Sequence, residues 1–287
     1  MIESPRTARE ALYTLRGLTF AALEWGPPVS PAAGGAPPTL LLHGFLDHAG
    51  SWARVAEQLD GPVVALDLRG HGRSAWVGPG ESYHFPEYLA DVDALVAALG
   101  GRVRLVGHSM GGSIASMYAG ARPEAVERLA IVDGMGIPDG GAAARDRMVQ
   151  FLDGIARVRA PRPYPTLAAA AARLVSTWSG LDPAWALELA ERGTRPVDEG
   201  FVWRYDPRHL VRAAVPYRQD QHLRFLAAIR CPVLSVHPEH SLFAVADVAA
   251  LEAAIPDLVV KEVLGAGHMT QLDAPRALAA HLTAFLR

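Results

Sequence analysis

The chain has 287 residues, half of them apolar, enough to bury a sizeable core in one large α/β domain or two small ones. A net charge of −3 with no basic run excludes nucleic acid and an anionic membrane surface as expected partners. The lone cysteine, Cys231, excludes an internal disulfide, and the lone lysine, Lys261, weighs against Schiff-base chemistry.

Taken in chain order, the N-terminus Met1-Ile2-Glu3-Ser4-Pro5-Arg6 is charged and broken by proline, and Arg16 interrupts the next apolar stretch. Neither a signal-peptide core nor a membrane span is expected, and the protein is read as soluble and cytoplasmic. Leu12–Leu15 and Thr19–Trp25, parted by Arg16-Gly17, read as an opening antiparallel hairpin. The Pro/Gly/Ala-rich stretch from Pro27 to Pro38 reads as a loop. Strand and helix signals then alternate: Thr39–His43 strand, Trp52–Leu59 helix, Pro62–Asp67 strand, Phe85–Leu99 helix, Val103–Gly107 strand, Ser109–Ala121 helix and Arg128–Asp133 strand. Alternation of this kind implies a mostly parallel, doubly wound sheet with helices on both faces.

From Gly134 to about Asp220 the alternation fails. Helical stretches Ala142–Val158, Thr166–Trp178 and Ala184–Arg192 are separated by proline-rich turns, and a short Val197–Tyr205 stretch follows. Residues 135–220 are therefore expected to form a helical cap inserted into a core made of 1–134 and 221–287, giving a lidded pocket. Beyond the insertion the pattern resumes with Pro232–His237 as strand, Ala244–Ala254 as helix, Leu258–Val263 as strand and Pro275–Arg287 as closing helix. Cys231, just before Pro232, reads as a small buried side chain rather than a reactive thiol.

The chemistry centres on Gly107-His108-Ser109-Met110-Gly111-Gly112, a G-x-S-x-G motif between an apolar strand and a helix. A serine raised on so sharp a turn needs glycine on both sides, which makes Ser109 the candidate nucleophile. Serine attacks only when a base takes its proton and an acid holds that base in one tautomer. Among 11 histidines, His268 in Gly265-Ala266-Gly267-His268-Met269 is the candidate base, because it sits on a small-residue loop between the last strand and last helix. His108 is expected to point away from the nucleophile by strand alternation, and His209, His222 and His281 are expected to have surface or packing roles.

These residues, with His43-Gly44-Phe45 and Asp67-Leu68-Arg69-Gly70-His71-Gly72-Arg73-Ser74, resemble the α/β-hydrolase superfamily over nearly the whole chain. Within it, His43-Gly44-Phe45-Leu46-Asp47-His48-Ala49-Gly50-Ser51-Trp52, Tyr83-His84-Phe85 and Gly200-Phe201-Val202-Trp203-Arg204-Tyr205-Asp206-Pro207 look most like the serine-hydrolase-like branch. The resemblance implies an α/β-hydrolase fold and an oxyanion hole formed by the backbone N–H groups of Phe45 and Met110. It also implies that most members carry an aspartate in a G-x-x-D turn after the strand represented by Pro232–His237. Here that turn reads Pro238-Glu239-His240-Ser241, with no aspartate. The acid is then Asp133, at the end of the preceding strand as in many haloalkane dehalogenases, or else Glu239.

Candidate pocket residues are His43 and Met269, beside the two loops, and Trp178 and Trp203 in the insertion. The tryptophans, with Trp185, either line an acyl pocket or pack the insertion. His237-Pro238-Glu239-His240 matches no common zinc spacing, and Gly70-His71-Gly72 lacks the rest of a dinucleotide fingerprint, so neither metal nor cofactor is expected. The expected function is a serine hydrolase cleaving a carboxylic ester, lactone or related acyl bond of a small apolar substrate. The same residues would serve a C–C bond hydrolase or an acyltransferase, and a non-catalytic binding protein on this scaffold is the alternative from another class. Oligomeric state is left open.

Overall fold

The computed structural model describes residues 6–29, 35–136, 144–178, 180–241 and 248–287. Its main sheet has eight strands: β1 (Arg9–Leu15), β2 (Leu18–Trp25), β3 (Thr39–Leu42), β4 (Val63–Leu66), β5 (Val103–His108), β6 (Val126–Val132), β9 (Val233–His240) and β10 (Leu258–Gly267). They lie in the order β1-β2-β4-β3-β5-β6-β9-β10. The first two strands run antiparallel to each other, β2 runs antiparallel to β4, and all later pairings are parallel.

Alternation along the central strands builds two apolar layers. Leu40, Leu42, Leu105, Leu129 and Ile131 face one side, where they pack with Val92 and Leu95 of α2 (Phe85–Ala98), Ile114 and Tyr118 of α3 (Met110–Ala121) and Leu226 of α7 (Gln219–Leu226). Leu41, Val106, Ala130 and Val132 face the other, against Trp52, Val55 of α1 (Ala53–Ala56) and Leu278 and Leu282 of α10 (Pro275–Leu286). Cys231 is buried in the first layer, and that burial pushes its thiol up to about 11.

The expected elements are present with shifted boundaries. The helix expected over Trp52–Leu59 is instead a 3₁₀ turn, Ala49–Trp52, followed by the single helical turn α1. Strand β9 runs past Pro238 to His240, because its pairing with β6 ends at Val236 and the proline meets only β10. Strand β10 likewise continues through a register shift to Gly267. Short helices α7, α8 (Val248–Ala253) and α9 (Thr270–Asp273) complete the core; α7 and α9 have no counterpart in the sequence reading.

Between β6 and α7 lie α4 (Ala144–Ala156), α5 (Leu167–Thr177), α6 (Pro183–Gly193) and a two-stranded hairpin, β7 (Thr194–Val197) with β8 (Gly200–Trp203). Among the described residues this segment adds no strand to the main sheet. Ala142 and Ala143, at the expected start of α4, and residues 244–247, at the expected start of α8, lie outside the described residues. The segment is tied to the core by buried polar contacts. Arg192 Nη2 meets the fully buried Asp67 at 2.7 Å, His48 Nε2–H donates to the carbonyl of Leu189 at 3.1 Å, and Tyr83 Oη–H donates to Asp206 at 2.8 Å.

Candidate active site

Ser109 stands between β5 and α3 with φ 51° and ψ −119°, a conformation that costs a non-glycine residue of order 1–3 kcal/mol. The flanking glycines make the turn sterically feasible. A Cβ on Gly107 would sit 2.2 Å from the carbonyl oxygen of Gly111, and one on Gly111 would sit 2.4 Å from that of Leu42. The elbow is therefore wedged against the end of β3, with the serine lifted above the carboxyl edge of the sheet.

Three side chains from distant parts of the chain converge there. The Ser109 hydroxyl donates to His268 Nε2 at 3.1 Å, and His268 Nδ1–H donates to Asp133 Oδ2 at 2.6 Å. The side chains of His268 and Asp133 are 13% and 10% exposed, dry enough to strengthen their attraction while leaving the serine reachable. Asp133, itself at φ 42°, is held at the end of β6 by its N–H to the carbonyl of Val236 at 2.9 Å. Ser109 N–H donates to the carbonyl of Val132 at 3.0 Å, so Ser109 and Asp133 hang from adjacent strand ends.

Glu239 is elsewhere. Its carboxylate accepts the N–H of Gly265 at 2.7 Å, closing the end of β10. His237 of β9, just before that turn, pairs with Glu252 at 2.6 Å. The turn instead supplies Ser241, whose hydroxyl donates to Asp133. The sequence reading missed this residue, although its place in the turn where the family resemblance implies an aspartate was the available signal.

The loop after β3 lies against Ser109: a Cβ on Gly44 would be 3.2 Å from Ser109 Cβ. Phe45 follows on that loop, half exposed, and Met110 holds the first turn of α3, where a helix leaves its N–H groups without intrahelical acceptors.

The expected pocket residues divide. His43 is fully buried, its Nδ1–H donating to the carbonyl of Gly44 at 2.7 Å and its Nε2 accepting the Leu68 N–H at 3.0 Å. Burial pushes its imidazole down to about 3, so it is a neutral strut under the loop. Trp185 is buried, with the Arg54 guanidinium 4.1 Å from its ring centre. Trp178 and Trp203 are partly buried against the same apolar cluster of the insertion, which also takes in Met269, next to His268, and Leu272 of α9. His209 and His222 are buried, and His281 is partly exposed on α10.

The sequence and fold match known proteins along most of the chain. The family model for the alpha/beta hydrolase fold matches residues 37–275. A serine hydrolase-like protein of Danio rerio is 32% identical over 271 residues, covering 87% of this chain and 81% of that protein. A solved hypothetical protein of Pseudomonas aeruginosa PAO1 is 33% identical with a TM-score of 0.85, covering 96% of this chain and 97% of that one. The thioesterase domain from the curacin biosynthetic pathway is 28% identical with a TM-score of 0.86, covering 96% and 99%. With the parallel sheet, the strained serine turn and the histidine loop in their places, the chain belongs to the α/β-hydrolase fold family and groups there with the serine hydrolase-like proteins.

Proposed function

We propose that the protein is a serine hydrolase that cleaves an ester or thioester bond of a small, largely apolar acyl substrate through an acyl-enzyme. The observation that carries this reading is the continuous donor chain from Ser109 through His268 to Asp133, at 3.1 and 2.6 Å. Similarity to the curacin thioesterase domain supports including thioesters alongside oxygen esters.

In this reading Ser109 Oγ attacks the acyl carbon as its proton passes to His268 Nε2, and Asp133 stabilises the imidazolium so formed. The N–H groups of Phe45 and Met110 hold the oxyanion, each donor worth about 10²–10³ in kcat. His268 returns the proton to the leaving oxygen or sulfur, and water repeats the sequence on the acyl-enzyme. Residues 135–220 act as the cap. Support for that comes from the shared cluster in which Met269 and Leu272, beside His268, pack on α5 and α6.

Reaction with a fluorophosphonate probe tests the proposal. Wild-type protein is expected to label on Ser109 and Ser109→Ala to remain unlabelled; folded wild-type protein that does not label would overturn it.

A further inference from the structure

His108, the residue before the nucleophile, lies close to the site after all. Its Nε2 is 2.8 Å from the main-chain carbonyl oxygen of His268, and the two imidazole rings are 4.7 Å apart at 47°. Its Nδ1 is 3.2 Å from Nε2 of Gln271, the second residue of α9. A carbonyl only accepts, so Nε2 of His108 carries the proton; Nδ1 is then bare and needs a donor, which the Gln271 amide provides. Both ends therefore select one neutral tautomer.

The surroundings keep it that way. His108 and Gln271 are fully buried, and Asp47 of the loop after β3, which takes the Ser51 hydroxyl at 2.7 Å, lies against Gln271. A Cβ on Gly44 would stand 2.9 Å from His108 Nδ1, so the loop closes over the ring. Desolvation pushes the His108 imidazole down to about 3. A charged ring at 4.7 Å would oppose a positive charge on His268; a neutral ring does not.

Resting on the proposed reaction, we infer that His108 is a positioning residue, which holds the main chain of His268 by its Nε2–H donor while Asp133 holds the side chain. The base is thus gripped at two points: Asp133 sets the tilt and tautomer of the ring, and His108 sets where its Cα stands relative to Ser109. Nucleophile and base are linked through one side chain, because His108 is the covalent neighbour of Ser109. Movement of the loop 265–269 away from the elbow would lengthen the Ser109–His268 contact, and misplacement of about 1 Å costs roughly 10²-fold in rate.

The test compares His108→Leu, which removes the donor, with His108→Gln, whose amide nitrogen replaces it, and with Gln271→Leu, which leaves the ring but removes its amide partner. Readouts are kcat and KM on a p-nitrophenyl ester, the pH profile of kcat/KM, and the low-field proton resonance of His268 Nδ1–H, which needs no substrate. Expected for His108→Leu are a kcat loss of about 10²-fold with KM near wild type, a displaced limb of the pH profile and a broadened or shifted resonance. His108→Gln is expected to restore most of all three, and Gln271→Leu to move them in the same direction by less. Wild-type values in His108→Leu, or a His108→Gln variant as impaired as His108→Leu, would overturn the inference. Should His108→Leu fail to fold, the same decision falls to His108→Gln and Gln271→Leu, with wild-type values in Gln271→Leu counting against it. A wild-type enzyme inert to esters and fluorophosphonate overturns the proposed reaction instead, and the resonance in the variants still decides the positioning role.

Discussion

Ser241 donates its hydroxyl to the carboxylate of Asp133, 2.8 Å from Oδ2 and 3.1 Å from Oδ1, so the end of β9 completes the acid that β6 carries. Position 241 is where the family resemblance implies an aspartate, and its side chain already meets the carboxylate that holds the histidine. Asp133→Asn is expected to lower kcat by about 10⁴-fold, because the histidine then takes the wrong tautomer. Glu239→Gln, which alters a carboxylate held by Gly265, is expected to leave kcat near wild type. The double variant Asp133→Asn/Ser241→Asp should recover a measurable part of the loss. Steady-state kinetics on one ester checks all three; an Asp133→Asn enzyme as active as wild type removes the assignment.

Strain at the nucleophile predicts a trade between stability and reactivity. At φ 51° and ψ −119° a Cβ is costly, so Ser109→Gly should be more stable than Ser109→Ala by roughly 1 kcal/mol once the greater chain entropy of glycine is allowed for. Both variants should be inert to fluorophosphonate. Urea unfolding of the two side by side provides the measurement, and a Ser109→Gly midpoint below that of Ser109→Ala would show that the turn stores no strain.

Arg192 anchors the insertion through a buried ion pair, 10% exposed on its side and fully covered on the Asp67 side. Removing only the cation leaves a buried charge whose donors, among the described residues, are the N–H groups of Ala49 and Arg73. Arg192→Met is therefore expected to cost about 3 kcal/mol, and the Arg192→Met/Asp67→Asn pair much less than the sum of the single changes. A double-mutant cycle by chemical denaturation reads the coupling, and additive effects would refute it.

Buried neutral histidines predict acid lability. Desolvation lowers His222 to about 4; its Nδ1 accepts the Tyr217 hydroxyl at 2.7 Å, and its Nε2–H donates to Ser116 at 2.8 Å. His48 is likewise lowered to about 4. Unfolded histidine takes up its proton near 6.5, well before these folded ones do, so the unfolded state binds more protons between pH 6.5 and 4. Stability from each is complete above pH 6.5 and declines as pH falls toward 4, by roughly 2 kcal/mol between pH 6.5 and 5. A Tm falling from pH 7 to 5, with a shallower slope in His222→Gln, is the expected result; a level Tm would contradict it.

Much of this was readable from local pattern. Apolar runs such as Leu40-Leu41-Leu42 signal strands covered on both faces, because a central parallel strand sends alternate side chains into two separate layers. The elbow at Ser109 and the loop at His268 are equally local, since glycine spacing records the steric demands of a turn. Helices α7 and α9 escaped notice because eight- and four-residue helices are stabilised by packing rather than by their own propensity. For His108, strand alternation describes where the side chain leaves the sheet, and carries no information on the loop, 160 residues later, that comes to meet it.

The sequence by itself determined the fold class, the nucleophile turn and the histidine loop, all properties of short windows in which backbone sterics and hydrophobic period act on neighbouring residues. Only the tertiary structure placed Asp133 and not Glu239 against His268, enclosed His43 beneath the loop after β3, and brought Ser241 to Asp133 and His108 and Gln271 to the loop that carries His268. Those outcomes depend on which strand ends lie side by side and which carbonyls remain for a side chain to satisfy, and such contacts arise only when the sheet has assembled.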